Sequence, residues 1–215
     1  MNAKHFLFSN QKKRKNRKPK NLSLEESMNN KMMEIFKDNE FICIKDKYPK
    51  ALFHALIIPI SDDHRLLLSV AQVLALNNCL TFLRRIQKFS LKVIDLLPNS
   101  INKYNLQLGF HAIQTFKPLH MHIISKDFST NNLNKKQIWN SFNTSYFIAL
   151  DDLINHFEKD LNYGQRDYFS TDIFQIKNIK YLESLLLSNI ACNVCKKEQV
   201  NLVILKEHLL THQTI

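Results

Sequence analysis

Three histidines, His111, His120 and His122, lie among apolar residues of strand type in the run Gly109-Phe110-His111-Ala112-Ile113-Gln114-Thr115-Phe116-Lys117-Pro118-Leu119-His120-Met121-His122-Ile123-Ile124-Ser125. Strand alternation puts His120 and His122 on one face, with Leu119, Met121 and Ile123 on the other. His111 joins them if its segment pairs with theirs as a neighbouring strand. Three chemistries suit such a cluster. The histidines are core residues satisfied by carbonyls, or a metal trio of the hydrolytic kind, or a site where one neutral imidazole attacks phosphorus and the others hold phosphate oxygens. Free histidine, with a pKa of about 6.5, is mostly neutral and nucleophilic at pH 7.

A second cluster stands near the other end. Cys192 and Cys195, then twelve residues, then His208 and His212 form a two-Cys, two-His finger pattern with Leu202 and Leu205 as apolar filling. Zn²⁺ takes four converging N or S ligands, and histidines at i, i+4 share one helix face while a cysteine hairpin supplies the other two. One structural Zn²⁺ per chain is expected. The finger is a DNA contact, which Lys196, Lys197 and Lys206 permit, or a closed staple.

The elements that must position these groups are legible as pattern. Ser23-Leu24-Glu25-Glu26 reads as the start of a helix through about Phe36. Glu40 to Ile44 and Leu52 to Ile60, the latter holding His54, read as strands around the charged turn Lys45 to Lys50. Helical spacing from His64 to Leu97, ended by Pro98, predicts one long helix crossing the sheet. Strands at Tyr104 to Ala112 and Leu119 to Ser125 follow, so the fold class is α+β, a meander with a helical cover. A polar loop from Lys126 to Lys136 leads to Trp139, whose common use as a lone tryptophan is to anchor a loop. Residues 145 to about 186 alternate in helical fashion around Gly164.

With 215 residues, 45% hydrophobic and 23% charged, the chain suits one ordinary domain plus a small appendix. A basic arm at 1–24, expected to hold little fixed structure, an α+β domain at 25–160 and a helical connection with the finger at 161–215 are the expected units. No apolar run approaches the ~20 residues that span a bilayer, so a soluble protein without a membrane partner is expected. The net charge of +11 is local, because Lys12, Lys13, Arg14, Lys15, Arg17, Lys18 and Lys20 fall within nine residues. That run suits polyanion binding, nuclear import or a solvated arm, and it lacks the apolar core of a secretory signal. Cys43 and Cys79 stand alone among apolar residues, no disulfide framework is suggested, and a reducing compartment follows.

The runs Lys45-Asp46-Lys47-Tyr48-Pro49-Lys50-Ala51, Leu108-Gly109-Phe110-His111-Ala112-Ile113, His120-Met121-His122-Ile123-Ile124-Ser125-Lys126-Asp127-Phe128 and Trp139-Asn140-Ser141-Phe142-Asn143-Thr144, with Leu205-Lys206-Glu207-His208-Leu209 in the finger, resemble the aprataxin family. The resemblance implies a histidine-triad (HIT-like) antiparallel sheet with helices plus the zinc finger, in a form without the forkhead-associated domain that some members carry. It implies an enzyme that removes AMP from the adenylated 5′ ends left by abortive DNA ligation, in single-strand break repair. His120 would be the nucleophile that becomes adenylyl-histidine, His111 would act near the leaving phosphate, and His122 would hold phosphate oxygens. Asp46, Lys47, His54 and Thr115 would line the nucleotide pocket, and Lys135, Lys136 and Trp139 would meet DNA. DNA with adenylated 5′ ends as partner, AMP as product, a monomer, and the nucleus with the cytoplasm as alternative are expected on the same footing. Three positions depart from the pattern: Pro118 replaces the first triad histidine, Gln114-Thr115-Phe116 replaces Pro-Ser-Met, and Asn134 replaces a lysine, whose charge Lys135 or Lys136 would supply. Two other functions stay open, a general nucleotidyl hydrolase of small adenylated compounds and a non-catalytic zinc-finger nucleic-acid binder. Salt dependence separates DNA from a small nucleotide as substrate.

Overall fold

The computed structural model describes residues 24–61, 67, 69–163 and 178–212. The basic arm, Ser23, His64 and Gly164 lie outside the described residues. In chain order the elements are α1 (Leu24–Met28), β1 (Glu34–Lys37), β2 (Phe41–Lys45), β3 (His54–Pro59), α2 (Val70–Leu74), α3 (Cys79–Asp95), β4 (Leu106–His111), β5 (Met121–Ser125), α4 (Lys136–Asn143), β6 (Phe147–Ala149), α5 (Leu150–Tyr163), α6 (Ile179–Leu187), β7 (Ile190–Ala191), β8 (Glu198–Gln199) and α7 (Leu202–Leu210).

Six strands form one antiparallel sheet in the order β1-β2-β3-β5-β4-β6. The α+β architecture is the expected one, but the sheet is no simple meander. After β3 the chain crosses the sheet through α3, re-enters one place away as β4, and β5 then fills the gap. Central β5 therefore pairs with β3 on one side and β4 on the other, so the histidine strand has both ladders occupied.

Alternation along β2, β3 and β5 builds two apolar layers. Phe41, Cys43, Ala55, Ile57, Met121 and Ile123 face α3, whose Phe82, Leu83, Ile86, Phe89 and Val93 recur at helical spacing and are buried. On the opposite face Ile42, Ile44, Leu56 and Ile58 are covered by Leu24, Met28 and Met33. His54, His120 and His122 fall on this second face by the same parity. Gly109 in β4 serves a close approach, since a Cβ there would overlap the Ile148 carbonyl oxygen and lie 2.7 Å from the Phe147 ring.

Several predicted elements differ. The first helix ends at Met28 rather than near Phe36, because Asn30 builds a turn: its Oδ1 accepts the Met32 N–H at 3.0 Å and its carbonyl the Met33 N–H at 2.9 Å. Glu34–Lys37 then pairs as an edge strand on β2, with Phe36 5.3 Å from the Phe89 ring. The single long helix is two, interrupted at Leu76-Asn77-Asn78. Asparagine favours caps over helix interiors, and the break lets both apolar faces reach the sheet. The three-residue β6 carries too little pattern to be read as a strand. The expected division near residue 160 falls within α5.

The finger is not a separate bead. Ile190, Cys192, Leu205 and Leu209 pack in one cluster with Ile124, Phe128, Trp139 and Phe142. Asn140 Nδ2 donates to the Leu186 and Ser188 carbonyls at 3.1 and 2.9 Å, and Lys206 Nζ donates to Thr130 O at 3.2 Å. Among the described residues, no helix is long and apolar enough to cross a membrane.

Candidate active site

On the face away from α3, a pocket of about 330 Å³ is lined by Asp46, Lys50, His54, His111, His120 and His122, with Thr115 and Phe116 at its open edge. Each histidine arrives from a different local context. His54 opens β3, His111 ends β4, His122 is the second residue of β5, and His120 immediately precedes that strand. Strand pairing converges them: His122 faces Leu56 across one ladder and Gly109 across the other.

Hydrogen bonds decide which nitrogen carries which proton. His120 Nδ1 lies 3.0 Å from the Pro118 carbonyl oxygen, which can only accept, so Nδ1 is protonated and Nε2 keeps its lone pair. His54 Nδ1 receives the Lys50 main-chain N–H at 3.3 Å, whereas Asp46 Oδ2 at 3.7 Å is beyond a hydrogen bond. His54 therefore carries its proton on Nε2 and donates it to His122 Nδ1 at 3.0 Å. That leaves His122 with an N–H at Nε2, a buried atom with no partner among the described residues, as is Nε2 of His111. The cluster thus pairs one acceptor imidazole, His120, with a donor imidazole two residues on. The His111 ring packs 4.4 Å from that of His122 and 4.6 Å from that of Phe142.

Burial lowers the pKa of all four histidines, most of all through loss of solvation of the charged form. His54 is pushed down to about 4 and His111 to about 3; His122 falls well below its ordinary value, and His120 is lowered, with the Pro118 carbonyl and Asp46 opposing the shift. Neutral imidazoles are what a nucleophile and N–H donors require. Lys50 is also lowered by burial, with Asp46 opposing, and its ammonium bonds the Tyr48 carbonyl at the pocket wall.

Asp46, His54 and His122 also bring three ligand-type atoms within 4.8 Å of one another. Two of these side chains already satisfy each other through the 3.0 Å His54–His122 bond. Coordination would have to break it, which favours the phosphorus chemistry over a metal trio.

The other cluster has the character of a metal centre. Cys192 Sγ lies 3.5 Å from His212 Nε2, Cys195 Sγ lies 3.1 Å from His208 Nε2, and the two Nε2 atoms are 3.2 Å apart. A tetrahedral Zn²⁺ with two S and two N ligands sets such separations at about 3.3–3.8 Å, slightly wider than the two shorter ones here, so a small outward shift of the donors fits the ion. The β7–β8 turn presents the cysteines, with Lys196 at φ 62°, and Asn201 caps α7 by accepting from the Val203 and Ile204 N–H groups.

Residues 21–138 match the family described as "Scavenger mRNA decapping enzyme C-term binding", and residues 143–214 match the "C2HE / C2H2 / C2HC zinc-binding finger". The chain is 34% identical to Aprataxin of Danio rerio over 190 residues, covering 88% of this chain and 52% of that protein. It is 31% identical to the Aprataxin-like protein of Saccharomyces cerevisiae over 150 residues, covering 60% of this chain and 69% of that protein. The chain belongs to the aprataxin family. It spans about half the length of the Danio rerio and Gallus gallus aprataxins. Its fold is that of the aprataxin ortholog Hnt3 from Schizosaccharomyces pombe, with a TM-score of 0.64 at 17% identity, covering 87% of this chain and 88% of that one.

Set against the aprataxin pattern, the residues expected from sequence divide. His111, His120, His122, His54, Asp46 and Thr115 come together in the pocket, and Cys192, Cys195, His208 and His212 converge on one another. Lys47 does not join the pocket: it is exposed, with its ammonium 5.4 Å from the Tyr48 ring. Lys50 takes that place, because it and not Lys47 folds back toward His54 in the turn. Spacing from Asp46 could have suggested this. Trp139 cannot meet DNA, being fully buried with its indole N–H on the Ala191 carbonyl at 3.0 Å. Lys136 commits its ammonium to the Leu187 carbonyl at 2.8 Å, while Lys135 stays exposed. Pro118 contributes its carbonyl to the site, not its ring. Pro118→His keeps that carbonyl, so the rate of AMP transfer should stay within about fivefold of the unsubstituted chain, as for a residue making no transition-state contact. A gain of a hundredfold would show that an imidazole at 118 is needed.

The buried imidazoles also couple stability to pH. Unfolded histidines take up protons below about pH 6.5, whereas folded His54 and His111 resist until about 4 and 3. Stability conferred by these groups is complete above 6.5 and lost as pH falls, at up to about 1.4 kcal/mol per pH unit for each histidine. The urea midpoint should drop clearly between pH 7 and 5, less so in His54→Gln, and an unchanged midpoint would contradict the burial.

Proposed function

We propose that the chain removes AMP from 5′-adenylated DNA through an adenylyl-histidine. His120 Nε2 attacks the AMP phosphorus, the bridging P–O bond breaks, and its electron pair leaves with the DNA 5′-phosphate. Water then attacks the same phosphorus, the P–N bond breaks with its electron pair returning to Nε2, the water's proton passes to solvent, and AMP and neutral His120 are released. Developing charge on the phosphate oxygens meets the His122 Nε2–H and the Lys50 ammonium, while His111 serves the leaving phosphate. Because a phosphate monoester is a tolerable leaving group, charge stabilisation outweighs strong acid catalysis. Asp46 accepts the ribose hydroxyls. The observation that supports this reading best is the fixed tautomer of His120, whose lone pair remains for the pocket.

DNA as the substrate is supported by likeness to proteins solved as "Hnt3 in complex with DNA and guanosine" and "aprataxin ortholog Hnt3 in complex with DNA". On this chain, exposed Lys126, Lys135, Lys196 and Lys197 offer cations for phosphodiesters. The finger would carry one Zn²⁺ per chain as a staple. Lys12 to Lys20 would add DNA affinity and direct a monomeric protein to the nucleus. Imaging a tagged chain with and without that run tests the location.

The deciding assay is AMP release from adenylated nicked DNA beside a small adenylated dinucleotide. A DNA substrate should lose affinity steeply with salt, by about 0.9 log unit per log unit of salt for each phosphate contacted. A shallow dependence with preference for the dinucleotide would favour a general nucleotidyl hydrolase.

A further inference from the structure

His120 lies one residue outside the sheet that positions its neighbours. β5 begins at Met121, the ladder with β4 stops at Gly109 opposite His122, and the ladder with β3 stops at Ile57 opposite Met121. Continued, the β4 register would set His120 against His111, but the pairing ends short of it.

A side chain takes the missing strand's place. Gln114 Nε2 donates to the His120 carbonyl at 2.7 Å, and Gln114 Oε1 accepts the His120 N–H at 3.3 Å. A carboxamide offers a donor and an acceptor as a peptide group does, and only one orientation of the amide satisfies both bonds. Gln114 is itself half-buried in a loop held by Tyr146, whose hydroxyl donates to the Ile113 carbonyl at 2.9 Å. With the imidazole Nδ1 on the Pro118 carbonyl, both the main chain and the ring of His120 are fastened.

We propose that Gln114 is a positioning residue that holds the backbone of His120 so that Nε2 stays aligned with the phosphorus. The proposal rests on His120 being the nucleophile. Gln114 stands where the pattern read from sequence has proline, whose side chain can make neither bond. It should act on bond making rather than on substrate affinity, because Asp46 and Lys50 come from the turn before β3.

The test measures single-turnover AMP transfer and DNA affinity for Gln114→Ala and Gln114→Glu, with ¹⁵N spectra of the histidine rings. Gln114→Ala should slow transfer about 10- to 100-fold, as for loss of near-attack geometry, with adenylated-DNA Kd within about twofold. Gln114→Glu should be equally slow at pH 8, where its carboxylate opposes the His120 carbonyl. It should recover toward the unsubstituted rate as the pH is lowered toward the ordinary glutamic acid pKa of about 4.3, where the neutral acid supplies both a donor and an acceptor. Asp46, Lys50, His54, His111 and His122 face His120, and their titration is common to both proteins, so the ratio of rates isolates position 114. A Gln114→Ala chain with full rate, or a Gln114→Glu ratio that does not change with pH, overturns the proposal. Loss of fold in Gln114→Ala leaves the Gln114→Glu ratio as judge within one folded protein. The ring spectra need no substrate: the Nδ1–H form of His120 should give way to mixed tautomers in Gln114→Ala. If no AMP is released by the unsubstituted chain yet that change appears, the proposed function fails and the brace stands; an unchanged His120 spectrum overturns the brace.

Discussion

His120→Ala is expected to form no AMP adduct and to lower turnover on adenylated nicked DNA by on the order of 10⁴-fold or more, the scale seen when a covalent nucleophile is removed. The other imidazoles cannot substitute. His54 and His122 each hold their lone pair at Nδ1, against the Lys50 and His54 N–H groups, so their Nε2 atoms carry protons that can be donated but have no lone pair for attack. His120 alone has Nδ1 protonated on a carbonyl that leaves Nε2 as a free acceptor toward the pocket. Labelled AMP should therefore travel with the unsubstituted chain on a neutral denaturing gel and be lost in acid, because the P–N bond is acid-labile. Turnover by His120→Ala within tenfold of the unsubstituted rate would assign the attack to another group, and water would be the first candidate.

Removing zinc from the finger is expected to loosen the pocket as well as the finger. Cys192 is fully buried and packs with Trp139 and Phe142, and Phe142 also forms the pocket wall beside His111 and His122. Structural zinc contributes about 10–16 kcal/mol of apparent binding energy to isolated finger peptides, and with part of that lost, a chain of this size should melt about 10 °C lower or more. The lone tryptophan reports it directly, since Trp139 is buried with its indole N–H on Ala191 at the foot of the finger. Chelation or Cys192→Ser should shift its emission to the red and raise the KM for adenylated DNA. Metal analysis should return one zinc equivalent. A second equivalent, lost in a His120 and His122 double substitution, would revive the metal reading of His111, His120 and His122. Unchanged melting and emission after zinc removal would reduce the finger to an appendage.

Much of this protein follows from local pattern. The parity of Leu119 to Ile124 sorts core from pocket residues without knowledge of any partner strand, because a side chain's face depends only on its own backbone. The spacing of Cys192, Cys195, His208 and His212 carries its chemistry in the same way, since a hairpin and a helix turn are both short-range structures. What alternation could not supply was the neighbour across each ladder. That β5 lies between β3 and β4, and so brings His54 against His122, depends on where α3 returns the chain after a long excursion. Burial was equally inaccessible: Trp139 and Lys136 carry the residue types of a DNA surface, yet α4 turns one into the shared core and the other onto the end of α6. The choice of Lys50 over Lys47, and the role of Gln114 in place of a strand, rest on turn geometry fixed by contacts between segments far apart in sequence. Residue type and period determine which groups can react, but the tertiary packing decides which of them share a pocket, because convergence is a property of distances between segments that no single segment encodes.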